Sequence, residues 1–246
     1  MNKENNSELK VKMRRAFGVA RINFTAGVTP AYITLAIFAG AMLIMSIAAS
    51  IIASIRGSEW INGFAAVNGL MAFMLIYPFF LVCGNFKKLL NLGAKKKDFF
   101  WGCLINYGII AFAAAVINII SRYTLEKALN ISNTELSLVN LFGWYGSGAG
   151  GAFMSIFYQA GAYFFVMSAI HLLLSMHSKN WAWFVDAGLI LLLAVFLTVA
   201  PLREVFVAVF KFILVNKYAL VQFAVAGALG AALYSASLFF ISRKRF

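Results

Sequence analysis

Charge is scarce in this chain, and negative charge scarcest of all. Of 246 residues only 12% are charged, and eight are acidic. Soluble domains carry about a quarter charged residues, so this balance excludes an ordinary soluble enzyme. Two histidines, His171 and His177, are too few for a multi-histidine metal site. Two cysteines, Cys83 and Cys103, supply no disulfide framework. The sequence has no His-Glu-x-x-His pair and no Gly-x-x-x-x-Gly-Lys-Ser/Thr loop. Ser147 sits among glycines, but without the spacing of a nucleophile elbow or a base partner. No catalytic residue and no metal ligand can be named, and no cofactor is expected on this chain.

What the sequence does hold is apolar. Hydrophobic residues make up 63% of it, and mean hydropathy is +0.86. The expected fold class is an all-α integral membrane protein. Crossing a bilayer takes about 20 helical residues, and six stretches are long enough: Pro30–Ser54, Phe64–Gly84, Phe99–Ser121, Ala152–Ser175, Trp181–Ala200 and Tyr218–Ile241. Residues 1–29 are charged and precede every long apolar run, which argues against a cleavable signal peptide. The expected organisation is a cytoplasmic N-terminal segment, 1–29, and a six-helix transmembrane domain, 30–246.

The net charge of +13 would point to nucleic acid in a soluble protein. Here the basic residues flank apolar runs, so topology and anionic lipid explain them better, and no nucleic-acid partner is expected. With six spans, the N-terminal segment, the 85–98 hairpin, the 176–180 turn and the tail share one side. They hold fifteen basic residues against six on the other. Positive charge is retained inside, so both termini are expected to be cytoplasmic.

Two elements stand out on that side. Within Ser7–Phe24, Leu9, Met13, Ala16, Phe17, Ala20 and Phe24 recur at helical spacing. Lys10, Lys12, Arg14, Arg15 and Arg21 lie largely on the other faces. Such a basic amphipathic helix lies in the membrane interface. It is either a lever that touches a cytoplasmic partner or a plain anchor. The second element is the hairpin 85–98, with Lys87, Lys88, Lys95, Lys96 and Lys97 between two spans. Pro78, just above it, should kink the second span.

Outside, Ser132–Glu135 has capping-box spacing before an apolar run, and predicts a short surface helix ahead of a glycine-rich re-entry. The 202–217 segment reads as an interfacial or re-entrant helix. Asp186 is the one acidic residue inside an apolar span, either mechanistic or paired locally near the interface. His171 is expected to hydrogen-bond across helices. Asn68, Asn106, Asn118, Gln159 and Gln222 should face other helices, because an unpaired amide in lipid is costly. Asn106 and Gln159, with Asp186, are the candidates for a transport path. Small pairs (Ala36/Gly40, Ser46/Ser50/Ser54, Ala224/Ala228 and Gly227/Ala231) permit close helix contact, within the chain or between copies.

The stretch Phe86-Lys87-Lys88-Leu89-Leu90-Asn91-Leu92-Gly93-Ala94-Lys95-Lys96-Lys97-Asp98-Phe99-Phe100 places a basic segment before Leu-Gly, then more basic residues and an aromatic pair opening the next helix. Together with an interfacial basic helix and six spans, it resembles the membrane subunits of ATP-binding-cassette exporters of the type-2 permease class, including small permeases of Gram-positive bacteria. Lysines stand where an arginine is common after the glycine, and the outer loops are short, which argues against the macrolide-exporter architecture.

The resemblance implies a permease of the bacterial cytoplasmic membrane. It would work by alternating access with a second permease copy or paralogue, driven by a separate ATP-binding-cassette ATPase subunit that carries ATP and Mg. Lys87, Lys88, Leu89, Leu90, Leu92, Gly93, Lys95, Lys96 and Lys97, with Arg14 and Arg15, would dock that subunit. A hydrophobic peptide, lipid or lipid-like antibiotic is the expected cargo. The alternatives are an ion-coupled secondary transporter, the membrane subunit of a vitamin importer, or a non-transporting scaffold.

Overall fold

The computed structural model describes residues 3–27, ten helical positions spaced between 29 and 55, and then 66–126, 148–177, 182–214 and 218–243. Every described element is helical. In chain order they are α1 (Lys3–Ile22), α2 (Ala66–Phe79), α3 (Phe86–Asn91), α4 (Lys96–Ser121), α5 (Ala149–Met176), α6 (Ala182–Thr198), α7 (Ala200–Leu214) and α8 (Ala219–Arg243). Three π-helical stretches extend them: Asn23–Gly27 after α1, Phe80–Asn85 between α2 and α3, and Arg122–Glu126 after α4.

Among the described residues, four helices are long and apolar enough to cross a membrane: Gly69–Asn91, Lys96–Thr124, Ala149–Met176 and Ala219–Arg243. They match the second, third, fourth and sixth predicted spans. The fifth predicted span is α6, apolar but only 17 residues long. At 1.5 Å per residue the described part is about 25 Å, and residues 178–181 before it lie outside the described residues. Most of the first predicted span lies outside the described residues, as do the Ser132–Glu135 capping box and Ser147. The 202–217 segment forms a helix, α7, over most of its length.

The bundle is built as hydrocarbon solvent would require. Apolar side chains on the outer face of α4 are exposed, among them Ile109, Phe112, Ile117 and Ile120. The amides of Asn106, Asn118, Gln159 and Gln222 are buried, as are His171, Ser155, Ser168 and Ser237. A water-soluble fold has the reverse bias. The side chain of Asn68 lies outside the described set.

The closest-packed pair is α5 with α8, and reciprocal glycines explain it. A Cβ on Gly161 of α5 would sit 3.0 Å from the Phe223 Cα of α8. A Cβ on Gly230 of α8 would sit 3.1 Å from the Phe165 Cα of α5. The backbones are already in contact there. The packed stripe of α8 is Ala219, Gln222, Ala226, Gly230, Tyr234, Ser237 and Ile241. The pairs Ala224/Ala228 and Gly227/Ala231, read from the sequence as permitting close contact within the chain or between copies, do not make the contact within the chain. Ala224, Ala228 and Ala231 are exposed, and a Cβ on Gly227 would meet nothing within 4 Å. Gly40 is equally open, and Ala36 is exposed.

Polar and aromatic groups fill the end of the bundle nearest the hairpin. The Tyr234 hydroxyl donates to the Phe100 carbonyl at 2.5 Å, which joins α8 to α4. Tyr107 of α4 and His171 Nδ1 of α5 hydrogen-bond at 2.6 Å, the cross-helix bond expected of that histidine. The ring of Tyr77 from α2 meets Tyr107 edge-on at 6.1 Å. Four helices thus meet at one aromatic hub.

Candidate functional site

The hairpin is bonded at both ends. After Pro78 the second span continues, widening into the π stretch Phe80–Asn85 before tightening again as α3. A proline withholds an amide proton and crowds the preceding turn, and a local change of pitch accommodates both. Phe86 and Leu89 of α3 are buried, and the Phe86 and Phe99 rings lie 4.7 Å apart. A Schellman motif then stops the helix. Gly93 N–H donates to the Leu90 carbonyl and Ala94 N–H to that of Leu89, each at 3.0 Å. Gly93 has φ +86°, a conformation that a side chain would strain. Lys95 then starts α4, its N–H donating to Asp98 Oδ2 at 3.3 Å. Lys96 donates to the Ser242 carbonyl at 2.9 Å, which ties the hairpin to the end of α8.

α1 is fastened to the same place. Its packed residues are small: Ala16, Val19 and Ala20 are buried, whereas Met13, Phe17 and Phe24 are exposed. The contact is made on α4 at Gly102, where a Cβ would lie 2.7 Å from Val19 Cγ1 and 3.1 Å from the Ala20 nitrogen. Just beyond, buried Asn85 donates from Nδ2 to Asn23 Oδ1 at 3.4 Å. Asn23 in turn donates from Nδ2 to Cys103 Sγ at 3.7 Å. A polar chain therefore links the end of α1, the lead into α3 and the second turn of α4. Cys83 and Cys103 are both thiols, the former exposed and the latter buried.

We expect Gly102→Ala to loosen α1 from α4 at a cost of about 1–3 kcal/mol, because Ala20 presents backbone and cannot yield. Val19→Ala in the same chain should recover part of that loss by removing the nearest atom. Limited proteolysis of α1 together with thermal unfolding would show the coupling. Strictly additive effects of the two substitutions would refute the contact.

Between α1 and the start of α4 lies a groove of about 460 Å³, lined by Val11, Lys12, Arg15, Lys95, Lys97, Asp98 and Trp101. It divides the residues predicted to dock a partner. Arg15, Lys95 and Lys97 face it. Lys87, Lys88 and Arg14 are exposed away from its lining, as are Leu92, at 77% exposure, and Gly93. Leu89 is buried, Leu90 and Lys96 partly so, and Lys96 is committed to α8.

The three candidate path residues are not brought together as an open channel. Gln159 accepts from Asn118 Nδ2 at 2.8 Å and donates to Ser155 Oγ at 3.1 Å, closing a buried contact between α4 and α5. Asn106 is 1% exposed, and its amide nitrogen has no hydrogen-bond partner among the described residues. Asp186 pairs with His177 Nε2 at 2.6 Å, and both side chains are partly exposed. His177 Nδ1 meets the Leu173 carbonyl at 2.9 Å, so both ring nitrogens face acceptors. Asp186 thus has a local partner in His177; Lys179, the partner weighed from the sequence, lies outside the described residues.

Asn23 and Trp101 are site residues that the sequence did not single out. Asn23 follows the amphipathic stripe of α1 at a helical interval from Ala16 and Ala20, which is the signal that could have placed it. Trp101 carries no such signal, because its role depends on α1 lying beside it. Comparisons with known protein families, with curated proteins and with solved structures give no match.

Proposed function

We propose that this chain is the membrane subunit of an ATP-driven exporter of the type-2 ATP-binding-cassette class. The observation that carries the reading is the mechanical continuity of the hairpin. Its exposed apex holds Lys87, Lys88 and Leu92. Its base is fixed by Phe86 and Leu89 in the core, by Lys96 to α8, and by the Asn85–Asn23–Cys103 chain to α1 and α4. Force applied at the apex would reach three long apolar helices with little loss, as a coupling element requires.

In this reading the basic hairpin and α1 face the cytoplasm of a bacterial cell, by the retention of positive charge. A partner ATPase binds ATP and Mg, and its closure pushes on the apex. A second permease copy or a paralogue completes the transport path for a hydrophobic or amphipathic cargo. The test is gentle affinity purification of the intact chain from native membranes, with mass spectrometry of stoichiometric partners. A co-purifying Walker-type ATPase is expected. Its reproducible absence from an intact, oligomeric preparation would reject the proposal.

A further inference from the structure

We infer that the groove between α1 and α4 seats the headgroup phosphate of an anionic phospholipid. Arg15 of α1 with Lys95 and Lys97 at the start of α4, three cations from two separate elements, line it together with Lys12, and Asp98 is the one carboxylate among the described lining residues. That carboxylate already accepts from the Lys95 N–H. A phosphate diester is a match for such a set, and an arginine can hold two of its oxygens at once.

The walls select the source of the phosphate. Trp101 is 54% exposed, about a turn and a half inside a helix long and apolar enough to cross a membrane. An indole at that depth belongs to the headgroup layer, with its apolar body facing the chains. Val11, 49% exposed, forms the other wall. These side chains need an apolar neighbour. An acidic protein segment arriving from water would satisfy the cations and leave Trp101 and Val11 wet. A lipid satisfies both sets. The excess of positive charge also repels a choline headgroup, so the site prefers a lipid with net negative charge. The inference depends on membrane placement and does not require an ATPase.

The full chain, delipidated in mild detergent, would be titrated with phosphatidylglycerol or phosphatidylcholine and read by native mass spectrometry. One tightly held phosphatidylglycerol per chain is expected. Each neutralised cation should weaken binding about fivefold, so Lys12→Gln with Arg15→Gln should weaken it about 25-fold. Lys95→Gln with Lys97→Gln should do the same from the opposite wall, which keeps the test decisive if one variant folds poorly. Arg14→Gln with Lys88→Gln removes equal charge away from the groove and should change little.

Equal binding of the two lipids, or equal loss in the Arg14/Lys88 control, would overturn the site. Displacement of phosphatidylglycerol by millimolar inorganic phosphate at constant ionic strength would overturn the lipid as its source. Full lipid retention in both groove variants, with loss of an acidic protein partner, would assign the groove to that protein. Because the assay contains no ATPase, its failure is distinct from failure of the exporter reading.

Discussion

Gly161→Leu is expected to destabilise the purified chain by about 3 kcal/mol, at the upper end of ordinary overpacking. The position has no slack. A Cβ there would lie 3.0 Å from the Phe223 Cα, 3.2 Å from its ring and 3.5 Å from Gln222 Oε1. The nearest obstacle is backbone, so relief requires α8 to move as a body. That movement would pull Gly230 from Phe165 and Tyr234 from the Phe100 carbonyl, because the three contacts lie along one stripe. Gly227→Leu is the control, with the same substitution on the same helix pair where a Cβ meets nothing within 4 Å. Thermal unfolding in detergent, followed by helical circular dichroism, compares the two. If Gly161→Leu proves no more costly than Gly227→Leu, the reciprocal-glycine interface is wrong.

That pair of glycines also shows where sequence stops being informative. Four of the predicted spans coincide with long apolar helices, because a run of about 20 apolar residues has few other uses. The burial of Asn106, Asn118, Gln159 and Gln222 was legible for a related reason, since an amide in lipid must find a partner. The packing face of α8 was not legible. A helix with alanines at 219, 224, 226, 228, 231 and 232 offers small-xxx-small pairs in several registers. Only the position of α5 selects Ala226 and Gly230 over Ala224 and Ala228.

α1 makes the complementary point. Hydrophobicity marks Met13, Phe17 and Phe24 as strongly as Ala16 and Ala20, yet the structure packs the small residues and exposes the large ones. In an apolar solvent large side chains gain little by turning inward, whereas close backbone approach at Gly102 favours small ones. The groove joins residues 11–15 to 95–101, and no local pattern encodes that neighbourhood. The hairpin itself was legible in its Leu-Gly turn and lysines. Its fastening through Asn23 and Asn85 required the fold.

The sharpest test of the proposed function lies at the hairpin apex. Leu92→Glu is expected to reduce association with the ATPase subunit at least about 100-fold, the scale of a central interface anchor. Leu92 is 77% exposed beside the basic residues Lys87 and Lys88 on a segment too polar for hydrocarbon. An apolar side chain held there by a rigid Schellman turn gains nothing in the isolated chain. Its replacement should therefore leave folding within about 0.5 kcal/mol, as for other surface positions. Neutralising Lys87 and Lys88 should act differently. Rim charges mainly set the encounter rate and its salt dependence, so Lys87→Gln with Lys88→Gln should slow association and flatten its response to salt. Surface plasmon resonance with an ATPase recovered in that purification, on the nanodisc-embedded chain, separates these effects into off-rate and on-rate. Gly102→Ala supplies a third arm, because it loosens α1 without touching the apex. If Leu92→Glu binds the ATPase as the parent chain does, the hairpin is not the docking element. The stiffness of its base would then serve lipid anchoring and helix packing, without force transmission.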